Sequence, residues 1–400
     1  TIGDSQAAFT IVSCSSDNSS NEDAVISYIN DLQSGASGDL ATVITAINAL
    51  SGTDYSAAVA QLDHDGASAN VASVGQVVSA AGASVSSRVS TVSSSPDVST
   101  FALMMADDGQ QPIDLDSKKA LLSQRGWWIN LFGGSFDADE QESLGVNGYK
   151  NDYAGTTLGY DVPNSEGGLT GFAVTYSSGQ VDADGSVGST DYSSVVLSPY
   201  YSVNASNGGV TTFYGHLGSS SNDGKRNISF GAIDRTASSS YDSLTYGLGA
   251  EHQQPTIEVE GRYHSTRFGL GVSVVSVDGF TETGADALNL TVDAMDQTIA
   301  TAAAGHRIHW EYQIGAYTQM PFVDFGVNHS SFLEDQQASQ ALSGQSKFTT
   351  TVGDDSELSG SVGTGLVMKS ENDQFSFGVK YKKADYYSDV SGSLEYKRFF

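Results

Sequence analysis

The chain offers few residues whose types and spacing suit chemistry. Residues 3–5 read Gly-Asp-Ser, the order of a hydrolase nucleophile block, but such a serine also needs a histidine base and oxyanion donors. His64, in Leu-Asp-His-Asp-Gly, is a base only in a loose sense, and no room is left for further blocks before the strands begin at Gly126. Seven histidines are scattered (His64, His216, His252, His264, His306, His309 and His329). His306 and His309 lie three apart and would face opposite sides of a strand. Asp182, Asp184 and Asp191 cluster in VDADGSVGSTD (181–191), yet calcium needs six to eight oxygens and no complete loop pattern surrounds them. A solvated acidic loop is expected there. Cys14 is the one cysteine, so no intrachain disulfide can form. The stretch IVSCSS (11–16) faintly resembles a lipoprotein cleavage box, but Asp4 interrupts the apolar lead and no basic segment precedes it. The reading from these residues is therefore no catalytic, cofactor or metal residue.

Composition narrows the class. There are 47 acidic and 18 basic residues in 400, a formal net charge of −29. A nucleic-acid binder would need a basic face, and adsorption to anionic lipid would need basic clusters. Gly, Ser and Thr abound and proline is scarce, while 39 aromatics argue against disorder. No run of 18 apolar residues occurs, so no transmembrane helix is expected. The chain opens at Thr1 without methionine, as in a processed protein or a fragment.

The first 95 residues carry a helical period. EDAVISYINDL (22–32) aligns Val25, Ile29 and Leu32, and GDLATVITAINAL (38–50) aligns Leu40, Val43, Ile44, Ile47 and Leu50. From 67 to 95, Val71, Val74, Val78, Ala81, Val85, Val89 and Val92 recur at spacings of three and four, with Arg88 as the first basic residue of the chain. The other faces of this segment are Ala, Ser and Gly. It predicts a slim helix of roughly 40–45 Å at about 1.5 Å per residue. Val, Ser and Gly all lower helix propensity, so something must surround it. Residues 96–125 mix charge, Gly and Pro as a connector.

From Gly126 the period becomes two. RFGLGVSVVSV (267–277) sends Phe268, Leu270, Val272 and Val274 one way, with Gly269, Gly271 and Ser273 opposite. Leu244 and Leu248 alternate likewise, as do Phe375, Phe377 and Val379. Twelve such strands are expected, near 126–136, 149–162, 169–180, 189–203, 210–220, 240–254, 264–279, 295–308, 311–329, 355–369, 374–383 and 387–400. Each is close to the ~9–11 residues of a tilted membrane-crossing strand. Connections alternate between long, such as 221–239, 280–294 and 330–354, and short, such as 163–168 and 204–209; 384–386 breaks the pattern. A soluble β-sandwich also alternates, but its second face would not be Gly, Ser, Thr, Asn and charge. That face suits a water-accessible lumen. The prediction is an all-β transmembrane barrel of 12 antiparallel strands. The dyads of Leu244, Leu248, Phe268, Leu270, Val272, Val274, Phe375, Phe377 and Val379 face lipid, and Trp127, Trp128, Tyr396 and Phe400 stand at the interfaces.

Several segments together resemble the translocator β-domain of autotransporters, the type V secretion family, joined to the C-terminal stub of its passenger. They are ALSGTDYSAAVAQLDHDG (49–66), GWWINLFGGSFDAD (126–139), DGFTETGADALNLTVD (278–293), AAGHRI (303–308) and the final Phe400. The resemblance implies a twelve-stranded barrel threaded by an N-terminal helix, here 67–95, that leads from the passenger to the first strand. It also implies insertion in the bacterial outer membrane by the β-barrel assembly machinery, with the N-terminal part at the cell surface. Arg398 stands where many members carry an apolar or aromatic residue, which puts recognition by that machinery in question. Some members cut themselves at an asparagine of the luminal helix; Asn70, the one Asn of 67–95, is not followed by Asn or Asp, and a polar helix position is expected.

The expected organisation is thus 1–66 as a helical passenger stub or cap, 67–95 as luminal helix, 96–125 as connector and 126–400 as barrel. Its partners would be outer-membrane lipid, the assembly machinery and its own passenger, with no nucleic acid. The alternative is a stand-alone outer-membrane pore or structural surface protein with the N-terminal helices as plug or cap, or an adhesive module that self-associates through 1–65.

Overall fold

The computed structural model describes residues 19–64, 81–86, 88 and 125–399. Twelve long strands form one closed antiparallel barrel. They are β1 (Gly126–Ala138), β2 (Tyr149–Pro163), β3 (Leu169–Ala183), β4 (Gly188–Asn204), β5 (Val210–Phe230), β6 (Ile233–Gln253), β7 (Arg262–Val277), β8 (Met295–His309), β9 (Tyr317–Phe332), β10 (Ser356–Lys369), β11 (Asp373–Lys383) and β12 (Tyr387–Arg398). Each strand pairs with its sequence neighbours, and β12 returns to pair with β1 from Trp128↔Lys397 to Ala138↔Tyr387. Closure leaves the barrel wall without an edge, the condition for a sheet to sit in lipid.

The two-residue period sorts the wall into faces. Outside, large apolar side chains stand exposed: Leu270 is 67% accessible and Leu248 70%, values that only a nonaqueous surrounding makes favourable across a whole belt. Inside, Val275 on the same strand as Leu270 is 1% accessible, and much of the remaining inner face is Ser, Thr, Gly and charge.

The barrel has two unlike rims. One, the turn end, carries short connections and the strand ends at Gly126 and Arg398. The other, the loop end, differs from the expectation at three places. Residues 221–239 are not a loop: β5 and β6 run on as 21-residue strands and turn at Gly231, whose φ of 57° suits glycine. This extension was illegible as strand because it projects beyond the length a crossing needs, and its outer face therefore need not be apolar. The segments 280–294 and 330–354 are not bare loops either. They contribute the short strands Phe280–Thr281, Leu290–Val292, Gln337–Leu342 and Phe348–Thr351 to a separate four-stranded sheet. At the turn end, Tyr312–Ile314 folds back on the start of β9, so that strand begins at Tyr317 rather than at 311.

The small sheet carries a helical cap. Helices α1 (Ser20–Gln33), α2 (Gly38–Asn48) and α3 (Thr53–Val59) present apolar residues at helical spacing, and Ser19 caps α1 by accepting from the Glu22 N–H at 3.2 Å. Val25, Ile29, Val43, Ile47 and Val59 share one core with Ile228, Phe230 and Ile233 of the β5–β6 extension and with Leu290 and Leu342 of the small sheet. Polar contacts fix the docking. Asn21 exchanges two hydrogen bonds with the Thr351 backbone at 2.7 and 2.8 Å, and Arg235 makes a bidentate pair with Asp39 at 2.7 and 2.6 Å.

Candidate functional site: the helix within the barrel

Residues 81–86 and 88 are helical and lie inside the barrel. Ala81 packs among Phe136, Tyr149, Tyr192 and Tyr387 near the loop end; Val85 packs among Trp128, Leu169, Ala173 and Tyr200 near the turn end. The helix therefore descends from the loop end to the turn end. Small residues let it pass close to the wall. Ser84 accepts a hydrogen bond from Asn130 Nδ2 at 2.7 Å, and Ser86 donates to Glu251 at 2.9 Å.

Its anchor is Arg88. The guanidinium is wholly buried and donates from Nε and Nη2 to the two oxygens of Asp161 at 2.7 and 2.9 Å. Lys397 Nζ, on β12, donates to the same carboxylate at 2.8 Å, and the Tyr200 hydroxyl donates to it at 2.9 Å. Trp128 Nε1–H donates in turn to the Tyr200 oxygen at 3.1 Å. One carboxylate on β2 thus ties together the helix, β4 and the closing strand β12. Glycines on the neighbouring strands make space for the rings: a Cβ on Gly159 would collide with the Trp128 indole, and one on Gly171 with the Tyr200 phenol. In a water-excluded setting a charge-paired bidentate contact is stronger and more specific than a neutral one. Breaking it strands buried charge.

The expected site residues fall as follows. Leu244, Leu248, Phe268, Leu270, Val272, Phe375, Phe377 and Val379 stand exposed on the outer face, and Val274 continues that face half-buried near the loop end. Trp127 is on the outer face at the turn end, 4.9 Å ring to ring from Tyr160; the Tyr396 ring lies tilted at 4.9 Å from that of Phe375. Trp128 differs from its interfacial expectation. It follows Trp127 in a strand, so it must point inward, and it is 1% accessible beneath the helix. Arg398 lies on the outer face and pairs with Asp373 at 3.1 Å. Ala81, Val85 and Arg88 are within the lumen; Val71, Val74, Val78 and Phe400 lie outside the described residues, as do Cys14, Asn70 and the Gly-Asp-Ser at 3–5. Asp161, Lys397 and Tyr200 were missed. Alternation with Tyr160 and Tyr396 turns Asp161 and Lys397 inward, and that signal was present in the sequence. Among the described residues no group of three or more His, Cys, Asp or Glu gathers for a metal.

The cap has its own electrostatics. The His64 imidazole is buried against the Phe280 ring, with Glu282 and Arg226 as the charged groups facing it. Burial pushes its pKa down from 6.5 to about 4, Glu282 pulling it up and Arg226 further down. Burial raises the Glu282 carboxyl, but the bidentate Arg226 more than offsets this and the net shift is down. The Asp39 carboxyl is also lowered, chiefly by its hydrogen bonds from Arg235. His64 and Asp39 bind protons more readily once the cap is released, whereas Glu282 keeps Arg226, which lies outside the cap. Docking is therefore fully stabilised above about pH 6.5 and weakens as pH falls through the docked pKa values, His64 alone by about 3 kcal/mol near pH 4. Circular-dichroism melting at pH 7, 5.5 and 4 should show the helical signal lost at progressively lower temperature, with a shallower pH dependence in His64→Leu.

The Autotransporter beta-domain family matches residues 127–382. The translocator domain of the autotransporter NalP from Neisseria meningitidis superposes with a TM-score of 0.54 at 15% identity, covering 81% of this chain and 98% of that one. The beta domain of the Bordetella autotransporter BrkA superposes with a TM-score of 0.53 at 15% identity, covering 69% of this chain and 99% of that one. No curated protein matches the sequence. A closed twelve-stranded barrel with an apolar outer belt and a helix in its lumen defines an outer-membrane transport barrel. The chain belongs to the autotransporter β-domain family, and it is an outer-membrane translocator.

Proposed function

We propose that residues 1–66 are the C-terminal stub of an exported passenger, retained at the cell surface as a cap on the loop end. Residues 67–95 then thread the lumen, 96–125 return the chain to the wall, and 126–400 are the barrel, placed in the membrane by the β-barrel assembly machinery. The loop end faces outward and the turn end faces the periplasm. The observation that carries this reading is the path of the chain. The cap sits at the loop end, residues 81–86 and 88 descend inside the wall, and β1 starts at the turn end. A passenger drawn outward through the barrel would leave its last segment in this position. The barrel's part is transport and anchoring; any chemistry belongs to the passenger.

Topology in intact cells tests it. In a Cys14→Ser background, Ser34→Cys places a thiol on the exposed end of α1, and Asn207→Cys places one on an exposed turn at the other rim. A membrane-impermeant maleimide should label Ser34→Cys on intact Gram-negative cells and Asn207→Cys only after the outer membrane is permeabilised. The reverse pattern would overturn the orientation and the surface stub together.

A further inference from the structure

Among the described residues outside the lumen and the cap, His264 and His306 form a close pair of ligating side chains that the transport reading does not use. His264, near the start of β7, and His306, near the end of β8, lie on the outer face at the turn end, half-buried. Register places His306 opposite Thr266 and His264 opposite Ile308. The two histidines are therefore diagonal neighbours across adjacent strands, within reach for long side chains. His264 Nδ1 lies 3.2 Å from His306 Nε2. The other nitrogen of His306, Nδ1, lies 3.0 Å from the Thr266 hydroxyl oxygen.

We propose that His264 and His306 form a two-histidine clip for a borderline transition-metal dication such as Zn2+, Ni2+ or Cu2+. Two imidazole nitrogens each ~2.05 Å from a tetrahedral metal stand roughly 3.3 Å apart. The observed 3.2 Å separation already matches that bite. An ordinary hydrogen bond from His264 Nδ1–H to His306 Nε2 fits the same distance, and a bound metal would take the place of that proton. When His306 donates its Nδ1 proton to Thr266, its Nε2 lone pair points at His264. A ligating histidine whose second nitrogen is held by a neighbouring oxygen is the usual arrangement around such metals. His264 needs only to carry its proton on Nε2 to offer Nδ1 as the second ligand. Water completes the coordination at this rim. Imidazole nitrogen selects borderline dications over Ca2+ and Mg2+, which prefer oxygen. The bound metal would staple β7 to β8 at the end opposite the long 278–294 connection. Neither histidine touches the Arg88–Asp161–Lys397 anchor, so the clip stands independently of how the barrel is used.

The test uses the full chain, folded in detergent, titrated with Zn2+ in excess Mg2+ to silence the many surface carboxylates. One saturable equivalent is expected. His306→Ala should abolish it, and His264→Gln, which keeps a hydrogen-bonding side chain but removes the imidazole, should do the same. Thr266→Val should weaken it about 10–100-fold, as loss of a ligand's orienting partner does. Heat-dependent gel mobility checks that each variant remains a folded barrel. With Cu2+ as probe, the wild-type electron paramagnetic resonance spectrum should show two coupled imidazole nitrogens and His306→Ala at most one. Equal Zn2+ uptake by wild type and His306→Ala, or no saturable Zn2+ equivalent in wild type, would overturn the clip.

Discussion

Asp161→Ala should be among the most destabilising single substitutions in the barrel. The carboxylate is wholly buried and is the shared acceptor for Arg88, Lys397 and Tyr200. Its removal leaves two buried cations facing each other without their common anion. Loss of one partner from a buried ion pair costs about 3–5 kcal/mol. The luminal helix loses its bidentate anchor and the β12–β1 closure loses a clamp at the same time. Thermal unfolding, followed by the gel mobility of heated and unheated samples, should move to clearly lower temperature. The triple variant Asp161→Leu, Arg88→Met, Lys397→Met should recover most of that loss, because it removes the charges along with their partner. Such replacement of a whole buried ionic group is often neutral or stabilising. A melting temperature for Asp161→Ala equal to wild type would show that the triad does not hold the helix.

This anchor also shows what the sequence disclosed and what it hid. The outward apolar dyads were plain, because an outer belt must be apolar along each crossing while the alternate residues need not be. The same rule carries β7, with Leu270 outward and Val275 inward. It failed for the 221–239 extension, where the outer face meets water and the apolar signal disappears. It also failed at Trp128 for a simpler reason: adjacent tryptophans cannot share one face of a strand, so only Trp127 stands on the outer face. Arg88 stood out as the first cation of the chain, but its partner could not be read locally. Asp161 is 73 residues away and Lys397 another 236. Their meeting depends on barrel closure, on the depth of each strand in the register, and on where the helix stops. The cap was legible as helices from their periodicity. Its partner was not, since the complementary core is assembled from segments that read as loops.

The most direct test of the account asks whether the helix fills the barrel. A closed twelve-stranded wall with a Gly, Ser and Thr-rich inner face encloses water once its contents are removed. In planar bilayers the full chain should pass little current, because the luminal helix is bound to the wall through Arg88, Ser84 and Ser86. The same barrel lacking residues 1–95 should open a steady channel with conductance raised many-fold. Unchanged conductance after that deletion, in a protein whose gel mobility shows a folded barrel, would contradict a lumen occupied by the N-terminal helix.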